Sequence, residues 1–195
     1  MNYIDSNLKV VGTRPIRPDG VDKVTGRAVF AADTRASGML WGKILRSPHA
    51  HARIVSIDTS KAEALPGVRA VVTSADFPNI PSEEAFVGEG PMNFRDLSCN
   101  VIARDKALYE GHAVAAVAAT TQAIADEALA LIDVKYDVLP FVIDVEEAMA
   151  DNAPILHEDM FTAGVNPKPT KPSNVAKVVT FKKGDAEAGF KDADV

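Results

Sequence analysis

Three features of this 195-residue chain predict an α+β fold, a small mixed sheet with two main helices and long extended arms. Short apolar runs with period-two alternation recur between Gly and Pro punctuation, the mark of half-buried strands. One segment instead places its apolar residues at helical spacing: Ile124, Ala125, Ala128, Leu129 and Ile132 form a single stripe. The two ends are rich in proline and lack either period, as extended segments do. The composition, 47% apolar and 25% charged, suits a globular chain long enough to bury a core.

Taken in order, residues 1–20 contain Arg14-Pro15 and Arg17-Pro18, and proline pushes its predecessor extended, so they read as an N-terminal arm. Residues 27–32 read as a short strand ending at Asp33. Residues 39–46 and 53–58 alternate and are the next two strands, the first stopping at Ser47-Pro48. Ser60, with Glu63 three places on, has capping-box spacing and opens a short helix that Pro66-Gly67 ends. Residues 68–73 form a strand and Asp76-Phe77-Pro78 a turn. Residues 79–98 have little periodicity and read as a long surface loop. Ala113 to Ala119 is too continuously apolar to face water, so it is a central strand covered on both faces. Thr120 or Thr121 caps the helix that runs to about Leu131. A strand over 134–138 follows, packed into the same sheet, and then a short helix over 145–150 capped by Asp144. Residues 151–174, with four prolines, are a linker or a wrapped extended segment. A strand over 178–181 and a helix-like 186–190 after Asp185 come last.

The composition also excludes several functions. No run approaches the roughly 18–20 apolar residues of a membrane-spanning helix, and the first six residues have neither the basic start nor the apolar stretch of a signal peptide. Acidic residues outnumber basic ones, 27 to 21, for a net charge of −6. That argues against a nucleic acid or an anionic membrane as partner. Cys99 is the sole cysteine, so no internal disulfide, cysteine zinc cage or self-contained iron–sulfur cluster can form, and a cytoplasmic location is expected.

No complete active site is visible either. His49 and His51 on a strand would share a face as half of a metal site. With no third ligand at recognisable spacing they read as structural or interface histidines. His112, between Gly111 and the central strand, reads as a strand-entry residue hydrogen-bonding locally. Gly88-Glu89-Gly90-Pro91 lacks the lysine and the strand–turn–helix setting of a phosphate loop. Nothing in the sequence supplies Cys99 with a base.

Five strings, in order, then carry a resemblance. They are Asp22-Lys23-Val24-Thr25-Gly26-Arg27-Ala28-Val29-Phe30-Ala31-Ala32-Asp33; Arg46-Ser47-Pro48-His49-Ala50-His51-Ala52-Arg53-Ile54; Leu65-Pro66-Gly67-Val68-Arg69-Ala70-Val71 with Asp76-Phe77-Pro78; Tyr109-Glu110-Gly111-His112-Ala113-Val114-Ala115; and Val134-Lys135-Tyr136-Asp137-Val138-Leu139-Pro140. Together they resemble the N-terminal α/β-hammerhead domain of the molybdenum hydroxylase large subunits, the family of xanthine dehydrogenase, aldehyde oxidase and the CO dehydrogenase large subunit.

The resemblance implies an arm at 1–20, a hammerhead domain at 21–150, and at 151–195 a proline-rich linker with the start of a further, truncated domain. It implies a parent dehydrogenase or hydroxylase that binds molybdopterin in later domains, with [2Fe–2S] clusters and FAD on partner domains or subunits. None of the family's cofactor-binding or catalytic motifs occurs in this stretch. The chain is therefore expected to be non-catalytic by itself, with no catalytic, cofactor-binding or metal residue, and to organise domain and subunit interfaces. Its interface candidates are Arg46, His49, His51, Arg53, Tyr109 and His112. Because the chain stops at Asp194-Val195, where the family continues, it reads as a fragment or a split subunit. A stand-alone hammerhead binding module without redox function is the alternative, since fold does not fix function.

Overall fold

A computed structural model describes residues 9–88, 90–191 and 193, so the first eight residues of the expected arm lie outside the described residues. The chain divides into two units, Met1–Met39 and Leu40–Val195.

In the first unit, residues 9–19 are exposed and free of regular structure, and α1 spans Gly20–Val24. The expected strand at 27–32 is not formed. The Asp33 carboxylate accepts the Phe30 N–H at 3.0 Å, and Ala31–Asp33 coils into a 3-10 turn. The β-branched and aromatic character of 27–30 thus yields to a local side-chain bond that offers the backbone an alternative to pairing.

Among the described residues the second unit carries the strands, and each pairing between these strands is antiparallel. The expected single mixed sheet is instead three small sheets. The first has the order β1 (Trp41–Arg46), β7 (Ala113–Ala119), β3 (Val68–Thr73), and the second the order β6 (Lys106–Ala107), β2 (Ala52–Asp58), β8 (Asp133–Val138). The third is the hairpin β4 (Glu84–Val87) with β5 (Gly90–Asn93). The α+β class holds, and β7 is central as its apolar run requires. Val114, Ala115, Val117 and Ala119 are buried, but Ala116 and Ala118 are only half-buried, so its second face is less covered than expected. β8 joins β2 rather than the sheet of β7. Its pairing uses the alternation of 134–138, which the sequence shows, but the choice of partner depends on strand ends far apart in the chain.

Helix α4 (Gln122–Leu131) is set by its cap, the Thr121 hydroxyl accepting the Ile124 N–H at 3.2 Å. Its stripe packs as predicted. Ala125, Ala128 and Ile132 join Ala62 of α2 (Ser60–Glu63) and Ala115, Val117 and Ala119 of β7 in one core cluster, with Ile124 and Leu129 half-buried at its edge. The cap of α2 is Thr59 rather than Ser60. The Asp58 carboxylate takes the Ser60 N–H and draws Ser60 into the first turn. Gly67, at φ +97°, turns the chain from α2 into β3 where a Cβ would lie 2.6 Å from Ile124.

The expected loop at 79–98 contains the β4–β5 hairpin and the start of α3 (Phe94–Val101), whose cap is the Asn93 side chain accepting from Arg95 and Asp96 N–H. Helix α5 (Val145–Ala148) is capped by Asp144 as predicted, and α6 spans Ala186–Lys191. Residues 151–174 are wrapped rather than loose. The Asn174 amide donates to the carbonyls of Ala148 (3.1 Å) and Pro154 (2.9 Å) and accepts the Leu156 N–H at 3.0 Å. The strand expected at 178–181 reduces to one parallel bridge between Ala163 and Lys177. Among the described residues no helix is long and apolar enough to cross a membrane.

Candidate functional site

The Arg46 to Ile54 stretch is where the chain leaves the first sheet and enters the second. A register shift at Leu45/Arg46 ends the regular pairing of β1 with β7. Two short bonds then hold the departing chain: Ser47 N–H donates to His112 O and Gly111 N–H to Ser47 O, each at 2.8 Å. The Arg46 guanidinium donates to the Gly111 carbonyl at 2.8 Å. Gly111 itself sits at φ +86°, a left-handed turn that an L side chain rarely adopts. Ser47 is almost wholly buried, and its hydroxyl bonds within the loop to the backbone of His49.

His49 and His51 lie in this loop, not on a strand, so they do not share a strand face. The His49 ring meets Tyr136 edge-on at 5.0 Å. His51, buried, points elsewhere: its Nδ1–H donates to the Pro140 carbonyl at 2.7 Å, while Leu139 N–H donates to His51 O at 3.0 Å. Because a carbonyl only accepts, Nδ1 carries a proton, and the buried Nε2 has no hydrogen-bond partner among the described residues. Burial pushes the Tyr136 phenol up from its ordinary value, against a hydrogen bond with Ser47 that pulls it down. Arg53 stands apart, exposed on β2 opposite Asp137.

Arg46, Tyr109 and His112 are brought together around Gly111. The rings of Tyr109 and His112 stack at 4.4 Å, 14° from parallel. His112 is fully buried, its Nε2–H donating to Cys99 O at 2.9 Å and its Nδ1 accepting the Leu108 N–H at 3.2 Å. Burial holds its ring below the ordinary histidine value, outweighing the carbonyls of Cys99 and Asn100, which favour the charged form. The local bond to Leu108 is the kind expected of a strand-entry residue. The bond to Cys99 crosses from another element and has no signal in the sequence. Ser47 and Tyr136 fall inside two of the five resembling strings, but neither is among the interface candidates and their contacts have no residue-type signal of their own.

This junction positions backbone; it pairs no nucleophile with a base. Among the described residues no group of three or more His, Cys, Asp and Glu is placed to hold a metal ion. Two open clefts of about 280 and 290 Å³ are lined by Phe77, Ile80, Phe94, Leu97 and their neighbours, and by Phe141, Val142, Glu147 and theirs. The donors that a pterin or a cluster needs do not converge in either, so these residues do not fit the molybdopterin or iron–sulfur groups that the resemblance implies.

Residues 25–140 match the family model described as aldehyde oxidase and xanthine dehydrogenase, a/b hammerhead domain. The chain is 40% identical over 179 residues to a probable xanthine dehydrogenase subunit of Bacillus subtilis, covering 92% of this chain and 21% of that one. It is 38% identical over 155 residues to the carbon monoxide dehydrogenase large chain of Afipia carboxidovorans, covering 78% and 18%. The crystal structure of a Cu,Mo-CO dehydrogenase in its carbon monoxide reduced state aligns at TM-score 0.67 and 32% identity, over 94% of this chain and 23% of that one. The chain thus spans about a fifth of the length of these relatives.

Proposed function

Because the chain belongs to the aldehyde oxidase and xanthine dehydrogenase family through its a/b hammerhead domain, we propose that it is the non-catalytic N-terminal part of a molybdopterin-dependent oxidoreductase large subunit. In this reading it orders the interfaces between the cofactor-binding domains, which carry molybdopterin, and the iron–sulfur and FAD domains or subunits, in the cytoplasm. The arm at 1–20, the hammerhead domain at 21–150 and the proline-rich segment at 151–195 are its working divisions.

One observation carries this proposal: the chain exposes large apolar side chains that an isolated globular unit keeps inside. Phe181 is 92% exposed, Ile143 85%, Phe86 79% and Val145 72%. Single exposed apolar residues are ordinary, but so many on one chain are what a surface covered by other domains requires. The junction at Arg46–Ile54 supports the same reading, since its polar groups hold the backbone of two sheets rather than face a reactant.

Substituting serine at Ile143, Val145 and Phe181 in the full-length large subunit tests the proposal. Recovery of molybdenum-loaded enzyme is expected to fall at least tenfold. The same changes in the 195-residue chain should move its unfolding free energy by no more than about 0.5 kcal/mol, the range of surface substitutions. Undiminished recovery of loaded enzyme would refute the role. Separately, the purified 195-residue chain is expected to carry no stoichiometric molybdenum, iron or flavin and to reduce no artificial acceptor. Metal analysis and a dye-reduction assay check this, and stoichiometric metal with turnover is the outcome that overturns it.

A further inference from the structure

Helix α3 buries none of its own residues, so what holds its C-terminal end has to come from elsewhere. A helix leaves its last four carbonyls without intrahelical donors. Here Ser98 O takes the Ile102 N–H at 3.2 Å, and the next donor in the ladder, Ala103 N–H, turns away to Ala113 O at 2.7 Å. The freed Cys99 carbonyl is taken by the ring N–H of His112 at 2.9 Å, and the Asn100 carbonyl by the Tyr109 hydroxyl at 3.3 Å. The stacked Tyr109–His112 pair is therefore a cap supplied from the turn before β7. That cap depends on a single protonation state. With Nε2–H pointed at Cys99 O, Nδ1 must be bare to accept the Leu108 N–H.

We propose that His112 is an acid-sensitive latch on helix α3, and that a second proton on its buried ring drives the ring from its seat and uncaps the helix. A proton on Nδ1 sets two N–H groups against each other at 3.2 Å inside a site with no solvent exposure. Burying a charge without a paired counter-charge is costly. The titratable and charged groups around the ring are the Cys99 thiol and the carbonyls of α3, the Tyr109 phenol and the exposed Glu110 of the turn, and the Arg46 guanidinium of β1 on Gly111 O. None is a carboxylate bonded to the ring. The negative end of α3 attracts a cation there, yet burial prevails and the seated ring stays below the ordinary value of 6.5.

The released ring binds its proton first, so the latched state is fully favoured above about pH 6.5. It weakens by up to about tenfold per pH unit as pH falls from there towards the lower value of the seated ring. Release also dismantles a surface feature, because Phe94, Leu97 and Val101 of α3 form one wall of the apolar cleft shared with Phe77 and Ile80.

The test is hydrogen–deuterium exchange of the intact protein between pH 7.5 and 5.0, read by mass spectrometry on peptides spanning α3 and normalised to intrinsic exchange. In the parent, α3 amides are expected to lose at least threefold in protection across this range, the loss setting in below about pH 6.5, while peptides of β7 and α4 keep theirs. His112→Gln keeps an N–H for Cys99 O but does not titrate, and should hold the α3 change to less than twofold. Constant α3 protection in the parent overturns the latch, as does an equal acid response in His112→Gln. In the unsubstituted protein alone, loss at α3 in step with β7 and α4 means global acid unfolding and also overturns it. Opening confined to 108–111 with α3 intact does the same.

Discussion

Ala128→Leu is expected to destabilise the second unit by about 1–3 kcal/mol, the penalty of forcing extra methylenes into filled space. Ala62, Ala115, Ala119, Ala125 and Ala128 are all 0% exposed and belong to one cluster. Their methyl-sized side chains let α4 lie close against β7 and α2, and nothing between them can shrink to make room. The only relief is to lift the helix, which would strip contacts from Ile124, Leu129 and Ile132 together. Leu129→Ala is the useful contrast. Leu129 is half-buried at the cluster's edge, so its truncation should fall near the lower end of the ~2–5 kcal/mol typical of buried leucines. Urea titrations with unchanged slope measure both. An Ala128→Leu midpoint indistinguishable from the parent's would mean that α4 stands farther from the sheet than described.

Gly164→Ala should act as strongly but elsewhere, with a different signature. Gly164 adopts φ +79°, and an added Cβ would lie 2.0 Å from the carbonyl oxygen of Val178. Backbone cannot rotate away as a flexible side chain can, so residues 176–178 must retreat. Their retreat breaks Ala163 N–H to Ala176 O and Val178 N–H to Ala163 O, both 2.9 Å. Two hydrogen bonds and one left-handed alanine together cost roughly 3 kcal/mol. The segment lies outside the core cluster, so the loss should appear as local opening, with the global midpoint little changed. Amide exchange over 160–178 is expected to accelerate by two orders of magnitude. Unaltered exchange there would show that the wrap does not depend on this contact.

The parts legible in sequence are those whose partners are near in the chain. The Thr121 cap, the α4 stripe and the apolar run of β7 each announce themselves within a dozen residues, and all three stand where they were read. At 84–93 the turn glycines were visible, but Pro91 and the acids hid strands that pair only with each other. The Arg27–Ala32 stretch has strand composition, yet one carboxylate at Asp33 captures the Phe30 N–H and bends it. In the candidate site, the residues alone single out His49, His51 and His112 as structural or interface groups, but do not show what they touch. Pro140 O and Cys99 O are backbone atoms, and backbone acceptors carry no residue-type signal. The division of strands into separate sheets was equally hidden, because β8 could alternate in the same way beside either neighbour.

The place of β7 between β1 and β3 also bears on how the chain is made. Both flanking strands leave the ribosome well before their shared partner, and neither pairs with the other. At about 5–20 residues per second, several seconds pass between the emergence of Arg46 and that of Ala113. Once Thr73 has followed, and until Ala113 arrives, the nascent chain holds two unpaired strands, one bearing Trp41 and Ile44 and the other Val71 and Val72, with no centre to receive them. Synthesis thus passes through a window of vulnerability to mispairing that closes only when the alanine-rich strand arrives.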